Sequence, residues 1–85
     1  MPAKTVKVGS SVGLHARPAA LIAEAAEALG TEVTLAVPGD DPVDASSSLL
    51  IMTLGASCGD TIEVAGEDQA AVDEIAALVE KDLDA

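Results

Sequence analysis

No Phe, Tyr or Trp occurs anywhere in this chain, so its core must be built from aliphatic side chains alone. Aromatic rings bring the largest apolar area per residue to most interiors. A chain without them needs many Val, Leu, Ile, Met and Ala side chains in close register. That supply exists: apolar residues fill 49% of the 85 positions, which argues against a disordered polymer. The length allows one domain over residues 1–85. Folding should bury roughly 7,500 Å² of the roughly 12,000 Å² that an extended chain exposes.

Charge narrows the partners. Four Lys and Arg face fifteen Asp and Glu, for a formal net charge of −11. Such a chain repels nucleic-acid phosphates and anionic membrane surfaces, and it offers neither a basic stripe nor a stacking aromatic. The same charge favours a soluble monomer. The single cysteine, Cys58, has no internal disulfide partner and sits in the loop-like run Gly55-Ala-Ser-Cys-Gly59, where it reads as a thiol without function. Met1 to Val8 has no apolar block of the signal-peptide kind, and no apolar run approaches a membrane span. The expectation is a cytoplasmic protein.

The hydrophobic pattern divides the chain into seven elements. Met1 to Val8 reads as a strand, with Ala3, Thr5 and Lys7 alternating against Lys4, Val6 and Val8. Gly9 to Gly13 is a loop, and Pro18 marks a helix start, predicting a helix over Pro18 to Leu29 capped by Gly30. Its apolar stripe is Leu21, Ile22, Ala25, Ala26 and Leu29, with Glu24 and Glu27 facing away. Val33 to Val37 alternates as a second strand, Pro38 to Pro42 is a turn, and Val43 and Asp44 give a short third strand. Ser46 to Ser48 supplies caps for a short helix over Leu49 to Leu54, stopped by Gly55. Asp60 to Ala65 is a strand, and Asp68 caps a last helix that places Val72, Ile75, Ala76, Val79 and Leu83 on one stripe. The order is β-α-β-β-α-β-α, and the economical layout is an α+β two-layer sandwich with one sheet and helices on one face.

The only histidine and the only arginine stand two residues apart in Gly13-Leu-His-Ala-Arg-Pro-Ala19. His15 lies just before the first helix, where unpaired amides and the positive end of the macrodipole favour a bound anion. Arg17 adds a forked, permanently charged donor suited to phosphate. A neutral imidazole keeps a ring lone pair for nucleophilic attack. The chemistry that fits is capture and onward transfer of a phosphoryl group. No carboxylate or serine is placed to complete a hydrolytic triad, and one His with one loop Cys makes a poor metal site. On spacing alone, a loop histidine and a surface arginine remain the plainer reading.

The same run resembles the phosphorylation-site signature of the HPr family, the histidine-containing phosphocarriers of the bacterial sugar phosphotransferase system. Met52-Thr-Leu-Gly55 is similar to the family's second signature, and the chain length, the position of His15 and the element order agree. The resemblance covers the whole chain. It implies an open-faced β-sandwich of four antiparallel strands with three helices on one face. It implies a carrier without a cofactor rather than a stand-alone enzyme. His15 would accept phosphate on Nδ1 from phosphorylated enzyme I, whose own donor is phosphoenolpyruvate, and pass it to enzyme IIA domains. Arg17 would stabilise the phosphoryl group, with the helix start at Ala16, Arg17 and Pro18 as its seat. Leu14, Ala20, Leu21, Leu49, Leu50 and Met52 would form an apolar docking patch. Counting back from Met52, the family's regulatory serine, the target of a serine kinase, falls on Ser47, with Ser46 and Ser48 beside it. Three capping serines are an equally good reading of that run.

The chain departs from the family pattern on the first helix, where many members carry basic residues and this one has Glu24 and Glu27. Two other functions share the sequence: a carrier in a nitrogen-type or dihydroxyacetone-kinase relay, and a non-catalytic regulatory module acting through the Ser47 surface. The second needs no His15 and leaves the run around it unexplained.

Overall fold

Four short strands make the sheet of this protein, seen in a computed structural model that describes residues 2–81. β1 (Ala3–Lys7) pairs with β4 (Thr61–Gly66), β4 with β2 (Val33–Ala36), and β2 with β3 (Val43–Asp44). Every pairing is antiparallel, in the order β1-β4-β2-β3. The register follows from the alternation. Val6 stands opposite Ile62 and Leu35 opposite Val64, so the β-branched and leucine rows share one face. Thr5 opposite Glu63 and Ala65 opposite Thr34 make the other face, which is polar and left open to solvent.

Three helices cover the apolar face. α3 (Gln69–Glu80) lies on β1 and β4, α2 (Ser48–Thr53) lies beside β3, and α1 (Ala16–Leu29) packs against both helices. The core between the layers is aliphatic throughout: Ile22, Leu35, Ile51, Ile62, Val64, Val72 and Ile75 have no accessible surface. The folded chain exposes 4502 Å². That equals the roughly 4,500 Å² left by the size scaling, so small side chains reach ordinary burial here.

The helix ends follow local chemistry. Gly30 closes α1 in the left-handed conformation, at φ 69°, a region that glycine enters without a Cβ penalty. Asp68 caps α3 by accepting a hydrogen bond from the Ala70 N–H, and Ser47 caps α2 by accepting one from Leu50.

Several boundaries differ from the pattern, each for a physical reason. α1 begins at Ala16, and Pro18 is its third residue, still within the first turn where a missing N–H costs no helix bond. β1 stops at Lys7, although Val8 stays buried and is tied to the next loop by backbone bonds with Asp60 and Gly59. β4 begins at Thr61, because Asp60 closes a turn in which its carboxylate accepts from the Ser57 N–H. α1 also turns differently: Ala19, Ile22, Ala23 and Ala26 are its buried side, while Leu21 is exposed. The stripe expected on α3 holds at Val72, Ile75, Ala76 and Val79, and Leu83 lies outside the described residues.

Candidate functional site

The loop before α1 is held from both sides. The Gly13 N–H donates to Ser10 O, and the Leu14 N–H donates to Ala56 O. Gly13 has φ 76°, and a Cβ there would lie 2.4 Å from Ala56 O. Leu14 is buried at 3% exposure, so its side chain anchors the loop in the core. That corrects its expected place in an exposed docking patch. With Leu14 inward, the next residue, His15, is exposed.

His15 is the N-cap of α1, with an extended backbone at φ −85° and ψ −168°. Its carbonyl accepts the first helical bond, from the Ala19 N–H. Its side chain makes no capping bond, which leaves the ring uncommitted. The N–H groups of Ala16 and Arg17 precede that first bond and belong to the unpaired set of the helix start, whereas Pro18 has none to offer. The first turn carries no acidic residue to compete for these amides. Arg17 is exposed, and among the described residues the only ion pair is Lys4–Asp73, at 4.0 Å between β1 and α3. The arrangement is a cationic, donor-rich helix start with a free imidazole at its tip. It can hold a dianion against His15 and can release it to another protein, because nothing encloses it.

The remaining expected residues divide by exposure. Leu21, Leu49 and Leu50 are exposed at 39%, 72% and 43%, and Ala20 is exposed beside Leu21. Met52 is half-buried and packs against the core, so it supports α2 more than it faces outward. Val12, 50% exposed in the loop just before His15, joins the exposed apolar residues. An apolar residue inside a Ser-Ser-Val-Gly loop was the sequence signal for it. Ser47 is half-buried and its hydroxyl is engaged by the Leu50 N–H at 3.3 Å. Ser46 is exposed, and both its N–H and its hydroxyl donate to Asp44 Oδ1. Those two bonds hold the Asp44 carboxyl below the usual carboxylate range, led by the backbone one. Cys58 is exposed. No helix among the described residues is long and apolar enough to cross a membrane.

An open-faced sandwich with an exposed imidazole and guanidinium at an unenclosed helix start is suited to presenting an anionic group to other proteins. Comparison with known proteins gives the particular kind. The family model described as "PTS HPr component phosphorylation site" matches residues 2–81, and the chain belongs to this HPr family of the phosphotransferase system. The chain is 40% identical to the phosphocarrier protein HPr of Streptomyces coelicolor, over 99% of this chain and 94% of that one. It is 36% identical to the phosphocarrier protein NPr of Shewanella violacea, over 95% and 91% of the two chains. The crystal structure of an HPr from Thermoanaerobacter tengcongensis superposes with a TM-score of 0.83 at 30% identity, covering 94% of this chain and 92% of that one.

Proposed function

We propose that His15 is the phosphoryl acceptor, taking the group on Nδ1 from phosphorylated enzyme I and passing it to an enzyme IIA domain. The observation that carries this reading is the uncommitted ring of His15 at the start of α1, beside unpaired amides and the unpaired Arg17. In the transfer, the Nδ1 lone pair forms the new N–P bond while the donor's N–P bond breaks and its electron pair returns to the donor ring. The proton of His15 stays on Nε2. The Ala16 and Arg17 amides and the guanidinium meet the phosphoryl oxygens, which carry most of the charge in a loose transition state. Because donor and acceptor are both imidazoles, the step is close to balanced and the group can move on. A chain reached by phosphoenolpyruvate-derived phosphate works in the cytoplasm, as a monomer that presents one exposed face.

Incubation with phosphoenolpyruvate and enzyme I is expected to give an acid-labile, base-stable phosphate on the wild type. Label that persists in His15→Ala overturns the assignment. Arg17→Ala should keep the site but transfer more slowly, by about 10- to 100-fold if one charge-assisted contact to the transition state is lost.

The likeness to an NPr supports a second reading, a carrier in a nitrogen-type relay. His15 acts identically there, so competition between the two classes of enzyme I for one substrate decides it. Ser47 completes the proposal as a regulatory phosphorylation site. Phosphate on its hydroxyl would add charge beside Leu49 and Leu50 and would end its bond to the Leu50 N–H.

A further inference from the structure

The outward side of α1 is a stripe whose charge changes sign along its length. Arg17, Leu21 and Glu24 follow one another at helical spacing, Glu27 continues the line, and all four are exposed. Among the described residues no ion pair engages the two glutamates. They lie in the half of α1 nearest its negative end, where the macrodipole opposes them. The last turn of α1 holds no basic residue, and the one ion pair among the described residues, Lys4–Asp73, is elsewhere. Glu27 further shares a groove with Glu32 and Asp44, which strengthens the negative field there. Beside the stripe, α2 packs on α1 and turns Leu49 and Leu50 outward.

An apolar patch that adjoins the phosphoryl site, bounded by carboxylates left without partners, fits one kind of occupant. We infer that the protein exchanging phosphate with His15 carries an apolar seat for Leu21, Leu49 and Leu50, flanked by a cluster of Lys or Arg that faces Glu24 and Glu27. The inference rests on the phosphocarrier reading and adds the chemistry of the partner's surface. A partner with an acidic rim would gain at Arg17 but meet repulsion from these carboxylates and from a net charge of −11. A basic rim turns the same field into steering.

The test is the second-order rate of phosphotransfer from cognate enzyme I charged with phosphoenolpyruvate, at increasing salt. Raising salt from about 50 mM to about 500 mM shortens the screening length from about 14 Å to about 4 Å, and the wild-type rate should fall about tenfold. The doubly neutralised Glu24→Gln/Glu27→Gln variant should start several-fold slower and lose most of that salt dependence. Glu67→Gln/Glu74→Gln removes the same net charge from other elements and should behave like the wild type. A wild-type rate indifferent to salt, a faster Glu24→Gln/Glu27→Gln variant, or equal effects in the two double variants would each overturn the basic-rim partner while leaving His15 as acceptor. Absence of any label on wild-type His15 would instead remove the phosphocarrier reading and this inference with it.

Discussion

A methyl group at Gly13 meets two obstacles at once. The backbone there is left-handed at φ 76°, and the added Cβ would sit 2.4 Å from Ala56 O and 2.9 Å from Ser57 Cα. Gly30 is the contrast: φ 69°, with nothing within 4 Å of its Cβ position. Gly30→Ala therefore costs only the left-handed strain, about 1 kcal/mol, by urea denaturation. Gly13→Ala should cost about 3 kcal/mol or more, since backbone must move as well. It should also slow labelling of His15 under conditions where the variant is still folded, because the displaced loop carries the ring. Asp44 gives a pH-dependent prediction. Its folded pKa is lowered by the bonds from Ser46, so its contribution is present above the unfolded value and is lost as pH falls through the folded one. The stability gap between wild type and Asp44→Ala should be full at neutral pH and close as pH drops below the ordinary carboxylate range. A gap that stays constant down to acid pH would show that the Ser46 bonds do not depend on the charge.

At the scale of elements, α1 holds a sharp internal contrast. Ile22 is fully buried and Leu21, its neighbour, is 39% exposed. Ile22→Ala should cost about 3 kcal/mol through lost burial and the cavity left behind. Leu21→Ala should cost under about 1 kcal/mol and show itself in slower phosphotransfer instead. Sequence periodicity placed both on one stripe, since residues a turn apart and residues adjacent to them differ by angles that Ala-rich helices do not resolve. Leu21 is exposed as its place in the docking patch requires, and Leu14, expected beside it, is the one that turns inward, for a different reason. Leu14 is buried by a tertiary contact, the tie of its loop to Ala56, and no local pattern carries that information. The elements whose signals are local were legible: the alternating strands, the Gly30 stop, the Asp68 cap, and a cap within Ser46 to Ser48, which the structure assigns to Ser47. The candidate site was legible too, because His15 and Arg17 are unique in the chain and are carried on a distinctive run. What the sequence left open there was Pro18: placed third in α1, it restricts the free amides of the seat to Ala16 and Arg17.

For the molecule as a whole, charge and fold work against each other. Fifteen acidic residues stand against four basic ones, and among the described residues one half-exposed pair, Lys4–Asp73, offsets any of that repulsion. An exposed pair of this kind contributes about 1 kcal/mol at most. The aliphatic core must therefore hold a chain that repels itself, and more so when compact than when unfolded. Screening relieves the compact state more. Raising salt from about 50 mM to about 500 mM should stabilise the fold by on the order of 2 kcal/mol, read as a higher urea midpoint with an unchanged slope. A midpoint that falls with salt would mean that attractive pairs outweigh the repulsion. The same salt should slow phosphotransfer if the partner's rim is basic. The two effects have opposite signs, so a carrier that becomes more stable and slower in one titration has lost steering at its docking face, not its structure.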